Sequence, residues 1–437
     1  MITNITLANF RNHAYFTAYT DAHCVVISGL NGSGKTSILE AISLLIPGKG
    51  LRATNLSDVT RVEACAADNA QGNNVSLNRS DSLYSDVGGT LSSSISFAKI
   101  SAAKPIKQSG WQSRFYIGNY HKTRNVTRDT DSNIVECAYS AEKHKKMLTR
   151  DGTSIQNVSK ILDLIKVIWL TPEMDNLFLS AASGRRRFLD RMVYSLSPMH
   201  ANHCIQYNYY LKSRLQLLKT INYDEKWLDS VEKSLSELAV VIALHRLSIV
   251  KIMNTTLLNF ARKNPFAAAK LEIKGEVECI ASEALEHFDI KDILLMHSLS
   301  LDDKLQHAIY CVQQKFRNKR RIDAINKQST FGVQRTDLVI FESNKNMAAH
   351  YCSTGEQKSL LISLILAQAE VVVQYAIKHS GLLLLLDDVF SHLDKVKQEA
   401  LLSHLNSLPI QIWVTTVDRT CHNLLERYIP NTLLIAL

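Results

Sequence analysis

Gly29-Leu30-Asn31-Gly32-Ser33-Gly34-Lys35-Thr36 decides the architecture. It follows the apolar run Cys24-Val25-Val26-Ile27-Ser28 and leads into Ser37-Ile38-Leu39-Glu40-Ala41-Ile42, where apolar residues recur at helical spacing. A buried strand, a glycine-rich turn and a helix in that order form a phosphate-binding loop, the Walker A motif. Its glycines let successive backbone N–H groups turn toward one centre at the positive end of a helix. Gly29, Leu30, Asn31, Gly32, Ser33, Gly34, Lys35 and Thr36 are therefore expected to bind ATP. Lys35 reaches the β- and γ-phosphates and takes part in catalysis, and the Thr36 hydroxyl ligates Mg²⁺. Upstream, Ile2, Ile5, Leu7 and Phe10 predict a further strand.

A partner for this loop stands near the other end of the chain. Leu382-Leu383-Leu384-Leu385-Leu386-Asp387-Asp388 is a fully apolar strand ending in two carboxylates, at the edge where α/β sheets bind ligands. Asp387 is expected to hold the Mg²⁺ through water, and Asp388 to polarise the attacking water. Alone, the same letters also describe a buried strand followed by a capping aspartate. Ser391, Leu393 and Asp394 follow in the S-x-L-D order of an ABC-type D-loop, which makes Asp394 a nucleotide-site candidate. Just upstream, Ser353-Thr354-Gly355-Glu356 opens a long apolar-periodic segment. Ser with Glu three residues on is an ordinary capping box. It is also an ABC signature, in which Ser353, Gly355 and Glu356 face the nucleotide of a second subunit.

Lys35 and Asp387 must meet at one nucleotide although most of the chain lies between them. The fold class expected is thus α/β, an ABC-type P-loop ATPase head built from both chain ends, with an inserted helical arm lobe. Residues 1–182 supply the first part of the head, 183–330 the arm and 331–437 the rest. Apolar residues over 201–263 recur at helical spacing, and Pro265 ends that run. Residues 63–104, rich in Ser, Asn, Asp and Gly, suggest a β-rich lobe with long loops.

The 437 residues are 46% hydrophobic, enough for one large core and a smaller one. No apolar run is long and uninterrupted enough for a membrane span, and the first residues lack a basic segment before an apolar one, so a cytoplasmic protein is expected. Eight scattered cysteines show no zinc-ligand spacing and are expected to be reduced and mostly buried. Lys plus Arg outnumber Asp plus Glu by 50 to 41, a bias compatible with a polyanionic partner.

The segments NFRNH (9–13), GLNGSGKTSILEAISLL (29–45), GKGLR (48–52), WLTPEMDNLF (169–178), SGRRRFLDR (183–191), RTDL (335–338), CSTGEQKSLLISLILA (352–367) and LLLLLDDVFSHLD (382–394) together resemble the RecF family. Two places depart from its pattern: Gly332-Val333-Gln334-Arg335 stands where the family has G-P-H-R, and the stretch from about residue 60 to 160 is longer and poorly matched. Where ABC ATPases carry a switch histidine, Thr415-Thr416-Val417-Asp418 stands, as in RecF sequences. The resemblance implies an ATP-dependent homodimer, slow DNA-stimulated hydrolysis, and action with RecR and RecO in loading RecA at single-strand gaps. Candidate contacts to gapped or duplex DNA are Arg52, Arg185, Arg186 and Arg187, and the run Lys315, Arg317, Lys319, Arg320, Arg321; each cluster is equally well a solvated or bracing face. The alternatives are an ATP-switched DNA clamp that has lost hydrolysis, since Asp388 is shorter than the more usual Glu, or another ABC-type ATPase.

Overall fold

A computed structural model describes residues 1–61, 110–118, 133–155, 159–220, 224–285, 288–294, 302–376, 380–417 and 420–437. The β-rich lobe expected over 63–104 lies outside the described residues.

Five parallel strands form the centre, in the order Thr432–Ala436, Cys24–Ser28, Gln411–Thr416, Gly381–Asp387, Ile165–Leu170. Both chain ends therefore enter one sheet. The leucine run is continuous because both faces are covered. Leu383, Leu385 and Trp413 pack on one side with Ile38, Leu39 and Ile42 of the phosphate-loop helix Lys35–Ser43. Leu382, Leu384 and Leu386 pack on the other with Leu361, Ile365 and Val372 of the helix Thr354–Ala376. That helix has the length and apolarity of a membrane span, but most of it is buried inside the protein. Register aligns Asp387 with Thr415 and Thr416 with Ser28, so the carboxyl ends of three strands share one edge.

A six-stranded antiparallel sheet covers the phosphate-loop side, in the order His13–Tyr19, Ile2–Phe10, Gly110–Ile117, Asn133–Ser140, Lys145–Arg150, Thr153–Ser154. Residues 1–45 thus hold one more strand, His13–Tyr19, than the sequence pattern predicts.

The arm is built mainly from helices Ala182–Tyr194, His200–Leu218, Glu225–Lys263, Glu276–Leu285 and Asp303–Asn318. The expectation of a purely helical lobe over 183–330 is corrected by Ala269–Lys274, a strand that pairs with Asp337–Glu342, which in turn pairs with Met347–Ala348. Its buried Ala269 and Leu271 and half-buried Ile273 alternate with outward Lys270 and Glu272, the period of two that a helix lacks. The 39-residue helix Glu225–Lys263, about 58 Å long at 1.5 Å per residue, belongs to two cores. Its Leu235, Val240 and Leu244 pack with Leu305 and Phe316 of the arm, while Met253, Leu257 and Phe260 pack in the core under the central sheet.

Of the described cysteines, Cys24, Cys137 and Cys352 are buried, but Cys204 and Cys311 are half-buried and Cys279 is exposed, so the expectation of mostly buried thiols holds for half of them.

Four arm helices, His200–Leu218, Glu225–Lys263, Asp303–Asn318 and Arg320–Asn326, are tied by one buried guanidinium. Arg214 Nε donates to Glu232 Oε1 at 2.9 Å, Nη1 to Asp323 Oδ2 at 2.7 Å and Nη2 to the Phe316 carbonyl at 2.8 Å. Arg320 completes the group from the rim by binding Glu232 and Asp229. Removing one member strands buried charge. Arg214→Ala is expected to lower unfolding free energy by about 3 kcal/mol, read as an earlier midpoint in guanidinium chloride; an unchanged midpoint would show that the carboxylates find other partners.

Candidate active site

The phosphate loop is held in shape by the hairpin Asn9-Phe10-Arg11-Asn12-His13. Asn9 and Arg11 adopt positive φ of 52° and 51°, which turns the next side chains back onto the loop. Asn12 Nδ2 donates to the Gly32 carbonyl at 2.7 Å, and His13 Nε2 donates to the Gly34 carbonyl at 3.1 Å. Burial pulls the His13 pKa below its ordinary value, partly opposed by that hydrogen bond, so the ring is neutral at physiological pH. Arg11 forks onto the wholly buried Glu40 of the phosphate-loop helix, at 2.9 and 2.7 Å. Gly34 has φ 95°, and a methyl group there would lie 2.5 Å from His13 Nε2. Lys35 Nζ donates to the carbonyls of Gly29 at 2.6 Å and Leu30 at 2.8 Å.

Opposite the loop, Thr36 Oγ1 donates to both Asp387 oxygens, at 2.9 and 3.1 Å. Thr415 Oγ1 donates to Asp387 Oδ1 at 2.6 Å and accepts from the Asp388 N–H at 3.1 Å. Asp388 is left-handed, with φ 49° and ψ 39°, a conformation aspartate adopts more readily than most residues. A cleft of about 260 Å³ results, lined by Asn31, Gly32, Gly34, Lys35, Thr36, Arg52, Asp387, Asp388 and Thr415 among others. The hydroxyl and carboxylate brought together at its mouth are hard oxygen donors, and they fit Mg²⁺.

Other expected residues lie elsewhere. Gly29 and Ser33 belong to the loop without lining the cleft, and Leu30 is 80% exposed. Ser353, Gly355, Glu356 and Asp394 do not line it either. Ser353 and Glu356 form a reciprocal capping box: Ser353 N–H and Oγ each donate to Glu356 Oε2 at 3.0 Å, and Glu356 N–H donates to Ser353 Oγ at 3.4 Å. With Lys345 bound to its carboxylate, Glu356 is held down to about 2. Asp394 caps the next helix through the Lys397 N–H at 2.9 Å. Ser353, Gly355 and Asp394 are exposed and stand apart from their own chain's cleft.

Several basic residues turn inward, correcting their candidacy for DNA. Arg185 forks onto Asp337 at 2.8 Å through two nitrogens, and Arg186 donates to the Thr336 carbonyl at 2.6 Å. Both bind the helix Ala182–Tyr194 to the segment that starts strand Asp337–Glu342. Arg52 lines the nucleotide cleft, 3.6 Å from Glu40, and Arg320 belongs to the arm network. Lys315 and Arg317 are exposed but paired, with Glu276 at 3.5 Å and Asp229 at 2.9 Å. Arg187 and Arg321 are exposed and Lys319 is half-buried. Gln334, in the departing Gly332-Val333-Gln334-Arg335 turn, accepts from the Tyr207 hydroxyl and donates to the Phe331 carbonyl at 2.7 Å, a bracing role. The supporting roles of Arg11, Asn12, His13 and Thr415 escape motif reading, although NFRNH is conspicuous as a segment.

A phosphate loop and paired carboxylates at the edge of a parallel sheet drawn from both chain ends define a P-loop ATPase. The family model for an AAA ATPase domain matches residues 1–388. The DNA replication and repair protein RecF of Agrobacterium fabrum is 31% identical over 417 residues, 95% of this chain and 92% of the relative. Its counterpart in Rickettsia prowazekii is 29% identical over 415 residues, 95% of this chain and 94% of the relative. The chain belongs to the RecF family. The solved structure of the recombination mediator protein RecF-ATPrS in the RecFOR pathway shares the fold, with TM-score 0.70 and 17% identity over 100% of this chain and 96% of that one.

Gly34→Ala combines a left-handed backbone with a clash on His13, a strain of about 1–3 kcal/mol that the loop relieves by losing its phosphate-binding shape. ATP affinity should fall about tenfold or more, read by fluorescent-nucleotide titration. Unchanged affinity would mean that the loop does not set the phosphate site.

Proposed function

We propose that this chain is an ATP-switched DNA-binding protein of recombinational gap repair, acting in the cytoplasm, whose homodimer closes around two nucleotides. The observation that carries the reading is the separation of two half-sites. Walker A and Walker B residues share one cleft, while Ser353, Gly355 and Asp394 stand exposed outside it. A helix N-terminus with outward N–H groups is an anion site, and here the anion is the γ-phosphate of the second copy's ATP. The names of the relatives, DNA replication and repair protein and recombination mediator, support the DNA role.

In this mechanism ATP displaces the Lys35 ammonium from the Gly29 and Leu30 carbonyls onto the β- and γ-phosphates. Thr36 and, through water, Asp387 would hold Mg²⁺, which would neutralise charge on the phosphates. Asp388 lines the same cleft, with its backbone fixed through Thr415, and orients the attacking water. Hydrolysis is slow and stimulated by DNA, which keeps ATP a timing switch. Binding to gapped or duplex DNA runs through phosphate contacts of Arg187, Lys315, Arg317, Lys319 and Arg321, independent of base sequence. RecR, RecO and RecA are the partners that family membership suggests, with RecA loaded at single-strand gaps.

Asp388→Asn should retain ATP binding and slow turnover by about 10²–10⁴-fold, the usual range for a general base. Hydrolysis at the parent rate would remove Asp388 from catalysis. The dimer is tested by mixing: Ser353→Arg and Lys35→Met should each be inactive, yet regain ATPase activity together with a maximum near equal amounts. One intact Walker A then meets one intact signature. Persistent inactivity of mixtures in which mixed dimers are shown to form would return the signature to a plain helix cap.

A further inference from the structure

Three arm helices converge on a cluster that the ATP site does not use. Asp190 belongs to Ala182–Tyr194, His200 and Cys204 lie one turn apart on His200–Leu218, and His245 and Arg246 sit on Glu225–Lys263. His200 Nε2 is 3.1 Å from Asp190 Oδ1 and 3.6 Å from Cys204 Sγ. All three ligand atoms lie within 4.8 Å of one another, with His200 buried and its two neighbours half-buried.

The hydrogen bonds behind His200 fix its protonation. His245 Nε2 lies 3.0 Å from the Ile293 carbonyl, which can only accept, so that nitrogen carries the proton. His245 Nδ1 is then an acceptor, and His200 Nδ1, 3.2 Å away, is its donor. His200 therefore turns Nε2 toward a carboxylate and a sulfur. A positive charge belongs between them, either the Nε2 proton shared with Asp190 or a metal ion in its place.

We infer that Asp190 Oδ1, His200 Nε2 and Cys204 Sγ form a binding site for a divalent first-row cation, Zn²⁺ by preference. Tetrahedral zinc with ligands at about 2.0–2.3 Å sets them about 3.3–3.6 Å apart, which matches the spacing around Nε2 with little movement. The mixed oxygen, nitrogen and sulfur set also suits zinc. The relay from His200 through His245 to Ile293 orients the imidazole, as outer partners of ligating histidines do. Arg246 does the same for Asp190, with Nε and Nη2 at 2.8 and 3.1 Å from its oxygens. Binding is balanced in charge: the Cys204 thiol and the His200 imidazolium each release a proton to solvent, and the dication replaces them. Asp190 and Tyr194, though not His200 or Cys204, line a cleft of about 650 Å³ with Gly48, Arg52 and Trp169, so the cluster borders open space on its Asp190 side. The ion would join Ala182–Tyr194 to His200–Leu218 directly, and both to the long helix through His245 and Arg246.

The test uses the full chain without a histidine tag, purified without chelator. Elemental analysis should find about one zinc per chain. After stripping, Co²⁺ should give a sulfur-to-metal charge-transfer band and the visible bands of a tetrahedral site. Cys204→Ser should abolish the charge-transfer band and cut zinc content at least about tenfold with unchanged circular dichroism. His245→Asn, which keeps all three ligands, should weaken the metal about 10–100-fold. The second His–Cys pair at one-turn spacing, His307 and Cys311 at 3.5 Å, serves as the control, because zinc retained in Cys204→Ser but lost in Cys311→Ser would overturn the assignment. Parent protein with neither zinc nor a cobalt band would leave the cluster as an Asp190–imidazolium pair closed by a proton.

Discussion

The hydroxyl of Thr36, the carboxylate of Asp387 and the hydroxyl of Thr415 hydrogen-bond within 3.1 Å, and the head depends on that meeting. It joins the first 40 residues to the last 60, so it forms only when the central sheet is complete. The leucine run cannot choose its own register, because with both faces buried a slip of one residue exchanges one apolar side for the other. Polar groups at the strand ends decide instead. Gln411 accepts from the Ile2 N–H at 2.9 Å and donates to the Ile2 and Ala22 carbonyls at 3.0 and 3.1 Å, all buried. With Gln411 fixed at one end of its strand and Thr415 bound to Asp387 near the other, any slip leaves buried polar groups unpaired, at about 1–3 kcal/mol each.

Buried arginines extend the same logic outward. Arg11 fixes the hairpin to the phosphate-loop helix, Arg214 binds several arm helices, and Arg246 ties the long helix to Ala182–Tyr194 through Asp190 at 2.8 Å and to Glu276–Leu285 through Glu278 at 3.2 Å. A planar fork on a carboxylate accepts a narrow range of approach, so these pairs fix the angles at which helices meet. Apolar contacts along Glu225–Lys263 supply most of the attraction. The long helix belongs to both cores and so ties the arm to the core under the central sheet.

The loop and the carboxylate strand were legible in the sequence because their information is local: glycines state a backbone shape, and five leucines followed by two aspartates state a buried strand with a polar end. Strand Ala269–Lys274 was not, since six residues after a long helix carry too short an alternation to outweigh the helical pattern around them. The basic runs misled in part for a different reason. Counting charges does not reveal partners: Arg185, Arg186 and Arg320 meet Asp337, the Thr336 carbonyl and Glu232, all distant in sequence. Arg11, Asn12 and His13 were visible as letters, but their work lies in contacts across a hairpin turn that the letters do not announce.

Gly355 is consistent with the proposed approach of a second copy of the chain. Glycine in the interior of a helix weakens it by about 0.5–1 kcal/mol relative to alanine, and folds often keep glycine where φ is positive or where a neighbour crowds the backbone. Neither holds here, because a methyl group built on Gly355 meets nothing within 4 Å and the residue is helical. Gly34, in the same head, has both a positive φ and the crowding of His13. Among the described residues, no neighbour requires Gly355 to lack a side chain. It suits a group that must come close to the helix N-terminus from outside, beside N–H donors whose nearest side chain, Glu356, is already occupied by Ser353 and Lys345. A phosphate carried on another subunit is such a group, and the chain's own phosphate loop, facing a different cleft, cannot supply it.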